Sequence, residues 1–105
     1  MATIKEDYCS REIYRLLIKK GFDGEIHTSY DEEGYTQPSV SLQMAMKWLR
    51  EVHHIFLSIQ QHMDMSYVWY AYVDGVAKGC DRESHNNTYE EACEAACIYA
   101  LKNLI

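Results

Sequence analysis

The side chains in this sequence that could do metal chemistry are four of its five histidines and one cysteine. His53, His54, His62 and His85 supply imidazole nitrogens and Cys80 a thiolate, the two groups that zinc prefers in a tetrahedral site. No CxxC or HxxxH pair supplies a local chelate, and the neighbours His53 and His54 point in different directions. The spacing therefore predicts no metal site, and nothing in the sequence indicates another cofactor.

Cys80 and His85 are the only candidates for nucleophilic catalysis. A catalytic cysteine needs its thiolate activated by an imidazole or a helix N-terminus, and a third group usually orients the imidazole. Cys80 and His85 lie close in sequence but in no recognisable turn, and no third group is indicated. The sequence also lacks a glycine-rich phosphate loop and a Gly-x-Ser-x-Gly elbow. An enzyme is therefore the least favoured interpretation.

Four aromatic residues in one short stretch could instead form a binding surface. They are Tyr67, Trp69, Tyr70 and Tyr72. Single-strand binding proteins stack bases on such side chains, but they place lysines and arginines between them. Only Lys78 and Arg82 lie near this stretch. Nucleic-acid binding is therefore an alternative rather than the favoured function.

Three amphipathic helices are predicted to position these residues. The clearest spans Ser41 to His53, with Ser41 as its N-cap and a buried stripe that includes Trp48, Leu49 and Val52. An earlier helix is predicted from Ser10 to Lys20. The third helix begins at Thr88, because Thr88 and Glu91 have the spacing of a capping box. On this helix Cys93 and Cys97 fit the buried face as small apolar residues.

The segment between the second and third helices has the pattern of an antiparallel meander. Strands are predicted at 54–60, 67–73 and 76–80, and Asp74-Gly75 is a typical two-residue hairpin turn. Residues 81–87 are polar and are predicted to form turns. The weaker alternation at 25–37 predicts an exposed hairpin or a loop. The acidic cluster inside it lacks the ligand spacing of a calcium loop.

These elements predict an α+β fold of two layers, with the order α-(β)-α-β-β-β-α. Alternation along the second strand places Tyr67 and Trp69 on one face and Tyr70 and Tyr72 on the other. One layer of helices covers only one face of a sheet, so an aromatic face is left over. A second apolar spot, Ile98 and Ile105, lies away from the buried side of the third helix and is another possible interface.

Length and composition fit one ordinary globular domain. The chain has 105 residues, of which 48% are hydrophobic and 25% charged, so residues 1–105 form a single domain. A formal net charge of -6 disfavours polyanions and anionic membranes as partners. No signal peptide and no membrane-spanning apolar run is visible. Four cysteines without an export signal are expected to be free thiols in the cytoplasm.

Three runs of the sequence are distinctive: Cys9-Ser10-x-Glu12-Ile13 to Lys20-Gly21-Phe22-Asp23, Pro38 to Glu51, and Asn87 to Ala96. Together they resemble a family of small uncharacterised proteins common in Bacteroides-type genomes and their prophages. The resemblance implies an α+β cytoplasmic protein associated with phages or mobile elements. It also implies a homodimer, and it brings no known activity or catalytic residues.

The hypothesis that fits these observations best is a non-enzymatic interaction protein that self-associates. Its expected contact surface is either the leftover aromatic face or the spot at Ile98 and Ile105. A nucleic-acid-associated protein that uses the aromatic face is the alternative, and an enzyme with an unrecognised site is third.

Overall fold

The computed structural model describes residues 8–30 and 33–105, without the side chains of residues 29, 30 and 82–85. Within this part the chain forms an α+β fold of three helices and two antiparallel sheets. The elements in order are α1 (Arg11–Lys19), β1 (His27–Tyr30), β2 (Thr36–Ser39), α2 (Leu42–Val52), β3 (Ile55–Gln61), β4 (Tyr67–Val73), β5 (Val76–Asn86) and α3 (Tyr89–Asn103). The predicted fold class and the three-stranded meander are confirmed.

Each helix begins at the N-cap that its sequence predicts. The hydroxyls of Ser10, Ser41 and Thr88 each accept a hydrogen bond, of 3.3, 3.1 and 3.1 Å, from the amide three residues later. These bonds satisfy one of the amides that the first turn of a helix leaves unpaired. At α3 the carboxylate of Glu91 also accepts a hydrogen bond of 3.0 Å from the amide of Asn87. In the usual capping box this bond comes from the amide of the N-cap residue itself, which here is Thr88.

The larger sheet has the strand order β3-β4-β5, and its first hairpin is regular. Seven consecutive pairs join β3 to β4, from Ile55 opposite Val73 to Gln61 opposite Tyr67. The turn between β4 and β5 has φ 50° at Asp74 and 83° at Gly75. Two consecutive positive φ values are the geometry that an Asp-Gly turn supplies, which confirms the predicted hairpin.

The last strand is longer than its sequence predicts. We expected it to end at Cys80, with turns from residue 81 onwards, but β5 continues to Asn86. The prediction was wrong because residues at both ends of this polar segment pair with β4. Trp69 lies opposite Asp81 and Tyr67 opposite Asn86, with an irregular register between them. The Asn86 side-chain amide also donates to the backbone carbonyl of Tyr67 at 3.2 Å.

The smaller sheet lies in the segment predicted to be an exposed hairpin or loop. Its strands β1 and β2 pair antiparallel, from His27 opposite Ser39 to Tyr30 opposite Thr36. Pro38 sits in β2, and it is tolerated there because a two-stranded sheet has only edge strands. Two of the acidic residues in the predicted turn, 31 and 32, lie outside the described residues.

The hydrophobic core lies between the larger sheet and the helices. Its strand residues are odd-numbered, and they include Ile55, Leu57, Trp69 and Ala71. The helix side of the core consists of buried residues of all three helices: Ile13 and Leu17 of α1; Leu42, Ala45, Trp48 and Leu49 of α2; Cys93, Ala96, Cys97, Ala100 and Leu101 of α3. The helices therefore pack on the odd-numbered face of the sheet.

One residue differs from the burial that helical spacing predicts. Val52 shares the buried stripe of α2 but is 53% exposed, because it lies in the last turn, beyond the contacts that bury Trp48 and Leu49. On α3, Leu101 lies four residues after Cys97 and is fully buried, as that spacing requires. The buried arc of α3 is wide because this helix packs against the sheet on one side and against α1 on another.

Candidate functional site

The sheet surface that faces away from the helices is the first candidate site. We call it the even face. It is defined by eight residues that follow from strand alternation and register: Phe56, Ser58, Gln60, Val68, Tyr70, Tyr72, Ala77 and Cys80. Cross-strand register sets Phe56 beside Tyr72 and Tyr72 beside Ala77 in one row. A second row contains Ser58, Tyr70 and Cys80.

The even face combines exposed aromatic surface with little charge. Phe56 is 50% exposed, Tyr70 and Tyr72 are partly exposed, and Val68 is fully buried. None of the eight positions carries a charged side chain, although a quarter of the whole sequence is charged. Lys78 precedes Gly79, which faces α3, so alternation along β5 places the exposed Lys78 at the border of the even face, where the register shifts. Aromatic enrichment with charge depletion is the composition of the buried centre of a protein interface.

The four aromatic residues singled out from the sequence divide between the two faces as alternation predicts. Trp69 is only 6% exposed and packs in the core, with its ring centroid 5.0 Å from that of Tyr99 on α3. Tyr67 meets the ring of Tyr89, also on α3, edge-on at 6.2 Å. Trp69 is therefore not accessible to a partner, and we leave Trp69 and Tyr67 out of the candidate surface.

Phe56 is the one aromatic residue of the even face that sequence reasoning did not single out. The signal was present, because Phe56 alternates with Ile55 and Leu57 along β3. Reading that signal required knowledge of which side of β3 the helices cover. Once Ile55 and Leu57 are seen in the core, Phe56 must point to the opposite face.

Ile98 and Ile105, the second predicted interface spot, are placed differently from each other. Ile98 is partly buried and packs against the core. Ile105 follows the end of α3 and is 36% exposed, and its backbone carbonyl accepts a hydrogen bond from Nζ of Lys20 at 3.2 Å. Much of the apolar surface of Ile98 is thus already covered within the protein, and we leave both residues out of the candidate surface.

Of the two residues considered for catalysis, Cys80 has a described side chain and His85 does not. Cys80 is exposed on the even face, opposite Tyr70, whereas the side chain of His85 lies outside the described part. The other three cysteines are buried, as expected for Cys93 and Cys97. Burial, with a smaller contribution from the charge of Glu94, raises the pKa of Cys9 to about 12. Burial likewise raises the pKa of Cys97.

These raised pKa values keep Cys9 and Cys97 as neutral thiols near pH 7, so they act as small apolar core residues. Among the described residues, no group of three or more His, Cys, Asp or Glu side chains is arranged to hold a metal ion. The helices within residues 8–30 and 33–105 are also too short or too polar to cross a bilayer.

Comparison with known proteins gives no relative for this chain. No protein-family model matches the sequence, and neither a curated protein nor a solved structure matches it.

Proposed function

We propose that this protein is a non-enzymatic interaction protein that self-associates through the even face. The observation that carries the proposal is the composition of that face, which has exposed aromatic surface and, among its described side chains, Lys78 at its border as the one charge. Exposed apolar surface of this kind is stabilised when a partner removes it from water.

A second copy of the chain is the partner that the charge distribution favours. Two copies with a net charge of -6 repel each other, so they associate most readily through a surface that carries no described acidic side chain. Two identical flat sheet faces pack on each other about a two-fold axis, as in a β-sandwich. Stacking platforms for single strands need several basic side chains around them, and Lys78 is the one cation described at this face, which disfavours the nucleic-acid alternative.

The size of the even face indicates a weak, reversible dimer. Three strands about 4.8 Å apart and seven residues of about 3.3 Å each give an upper limit of roughly 14 by 23 Å per copy, and the fully buried Val68 means that part of this area is already covered. Both copies together then bury less than the roughly 1,200 Å² of a standard stable interface. We expect a dissociation constant on the order of 10–100 μM, in the range of transient contacts.

Light scattering coupled to size exclusion tests the proposal across concentrations from about 5 to 500 μM, which bracket that dissociation constant. The weight-average mass is expected to rise from the 12.3 kDa of one chain towards twice that value. Phe56→Ser is expected to abolish the rise. Ile26→Ser is the matched control, because Ile26 is a similarly exposed apolar residue, 47% exposed, that lies outside the larger sheet.

Two results would refute the proposal. One is a wild-type protein that stays at monomer mass up to the highest concentration. The other is a folded Phe56→Ser variant that dimerises as the wild type does, since the contact would then lie elsewhere.

The proposal includes a cytoplasmic location and an association with phages or mobile elements. The four free cysteines support the first, because free thiols are typical of a reducing compartment. The second rests on the resemblance of three runs of the sequence to the small protein family common in Bacteroides-type genomes and their prophages.

A further inference from the structure

The strand β3 lies at one edge of the larger sheet, because the strand order is β3-β4-β5. An edge strand leaves backbone N–H and C=O groups free to pair with another strand, and proteins usually protect such an edge with charges, prolines or bulges. The opposite edge, β5, carries Lys78 and Asp81 and has two register shifts. In contrast, β3 is regular over seven residues and contains no charged residue, proline or glycine. In the described part of the larger sheet, β3 is therefore the unprotected edge.

The hydrogen bonds at the two ends of the β3–β4 hairpin show which backbone groups of β3 point outwards. The amide of His62 donates to the carbonyl of Ser66 at 2.8 Å, and the amide of Asp74 donates to the carbonyl of His54 at 3.2 Å. Both pairs continue the register of the hairpin. In an antiparallel ladder, hydrogen-bonded pairs alternate with pairs that are not hydrogen-bonded. Even-numbered residues of β3 therefore bond to β4, and the N–H and C=O groups of its odd-numbered residues point away from the sheet.

The outward groups from the middle to the end of β3 belong to Leu57, Ile59 and Gln61. Within residues 8–30 and 33–105, no group forms a hydrogen bond with these outward N–H and C=O groups. Gln60 and Gln61 are exposed and Ile59 is partly exposed, so this half of the strand is open to solvent. Unpaired backbone groups on a regular strand are a template for the addition of a further strand.

We propose that β3 pairs antiparallel with β3 of a second copy, so that two sheets of three strands form one continuous sheet of six. The pair is centred on Ser58, which lies opposite Ser58 of the other copy. This register matches all seven residues of both strands. It places Leu57 of each copy opposite Ile59 of the other, an apolar pair that the two-fold axis repeats. The outward groups of Leu57 and Ile59 then exchange hydrogen bonds across the contact.

The composition of β3 favours a second copy as the added strand. A different partner that is selected by charge would need charged side chains on this edge, and β3 has none. Two copies with a net charge of -6 approach most closely where the contact itself carries no charge. The apolar residues of β3 alternate, so an antiparallel copy of the same strand supplies the matching pattern about a two-fold axis.

The edge contact is separate from the contact proposed for the even face, but it enlarges that face. A two-fold axis perpendicular to the sheet keeps the helices of both copies on one side and both even faces on the other. Two joined copies thus present an even face of six strands, about twice the area of one. This gain rests on the proposed function of the even face, whereas the pairing of β3 does not.

Disulfide cross-linking at residue 58 tests the pairing, because a covalent trap records a contact whose dissociation constant is in the millimolar range. Ser58→Cys is combined with Cys80→Ser, which removes the exposed native thiol, and with Phe56→Ser, which removes the even-face contact. Residues opposite each other in a pair that is not hydrogen-bonded have Cβ atoms about 4.5 Å apart, a distance that a disulfide spans. In a buffer of oxidised and reduced glutathione, a disulfide-linked dimer is expected.

Gln60→Cys in the same background is the matched control. Residue 60 lies on the same side of β3 and is more exposed than residue 58, but in this register its two copies are about 13 Å apart. Ser58→Cys is expected to form the linked dimer about tenfold faster than Gln60→Cys. Adding Ile59→Pro removes an outward N–H and leaves the bonds to β4 intact, so the link at residue 58 is expected to form about tenfold more slowly. Ile59→Ala keeps the N–H and is expected to slow it about twofold.

Hydrogen exchange of the dilute protein tests the free edge itself. The amides of Leu57 and Ile59 are expected to exchange about tenfold or more faster than those of Ser58 and Gln60, which bond to β4. Equal protection would overturn the proposal, because the edge would then be occupied within one chain. Circular dichroism of each variant confirms that it is folded.

Two cross-linking results would also overturn the proposal. One is a Gln60→Cys variant that links as fast as Ser58→Cys, which indicates random collision. The other is a Ser58→Cys link that disappears when Phe56→Ser is introduced, because the link would then belong to the even face. Light scattering of Phe56→Ser alone decides the even-face proposal independently.

Discussion

Gly79 and Tyr99 are expected to stabilise the fold as a pair. Gly79 lies opposite Ala71 on the helix side of β5, and the ring of Tyr99 from α3 lies directly over it. A Cβ atom at residue 79 would overlap that ring. The hydroxyl of Tyr99 also donates to the backbone carbonyl of Lys78 at 3.0 Å, and the ring contacts that of Trp69. Gly79→Ala must therefore displace the Tyr99 ring from both partners.

The cost follows from the two contacts that are lost. The hydrogen bond contributes about 1 kcal/mol, and an aromatic pair contributes about 0.5–1.5 kcal/mol beyond its burial, so the displacement costs about 2 kcal/mol. By itself, replacing a glycine inside a strand by alanine stabilises the fold by about 0.5–1 kcal/mol. We expect Gly79→Ala to lower the free energy of unfolding by about 1–1.5 kcal/mol, which lowers the melting temperature by about 5 °C.

A double-mutant cycle separates this effect from strand propensity. In a Tyr99→Ala background no ring lies over residue 79, so Gly79→Ala is expected to stabilise the protein by about 0.5–1 kcal/mol. Urea unfolding followed by circular dichroism measures all four proteins. The coupling energy is expected to be about 2 kcal/mol. If Gly79→Ala changes stability by the same amount in both backgrounds, the ring does not require a glycine and the reasoning is wrong.

Three further expectations concern the N-cap of α2 and the cysteines. Ser41→Ala removes the acceptor of the Met44 amide at a site that is 2% exposed. Urea unfolding should show that the free energy of unfolding falls by about 1–2 kcal/mol, and an unchanged value would contradict the role of Ser41 as the N-cap. Native protein should react with one equivalent of Ellman's reagent, at Cys80, and denatured protein with four; Cys80→Ser should remove the native reaction, and a persistent signal would show that a buried thiol is accessible. The Cys9 thiol has a pKa of about 12 in the folded protein and 9.0 as a free thiol. Between pH 9 and 12 only the unfolded thiol ionises, so the stability of the fold decreases in this range and is unaffected below pH 9. Urea unfolding should show that Cys9 lowers the free energy of unfolding by about 1.4 kcal/mol per pH unit in this range. If the free energy of unfolding of Cys9→Ala falls equally steeply with pH, Cys9 is not the cause.

The features that the sequence predicted correctly depend on residues close together in the chain. The caps at Ser10, Ser41 and Thr88 each join a side chain to an amide three positions away. The Asp74-Gly75 turn likewise depends on two adjacent residues. Such interactions are encoded locally, so pattern and residue type are sufficient to predict them.

The features that were missed depend on distant parts of the chain. The extension of β5 depends on hydrogen bonding to β4, which its own polar composition does not reveal. The role of Phe56 follows only when the helices are known to cover the other face of β3.

The packing of α1 against α3 has a consequence for synthesis on the ribosome. Helix α1 makes its main helix contacts with α3, through its buried Ile13 and Leu17 and through the ion pair of Glu12 with Lys102. At about 5–20 residues per second, α3 emerges on the order of 10 s after α1. During that interval the apolar stripe of α1 has no partner from α3. Nascent chains stalled before α3 should therefore bind a holdase chaperone through α1, and chains stalled beyond it should be released.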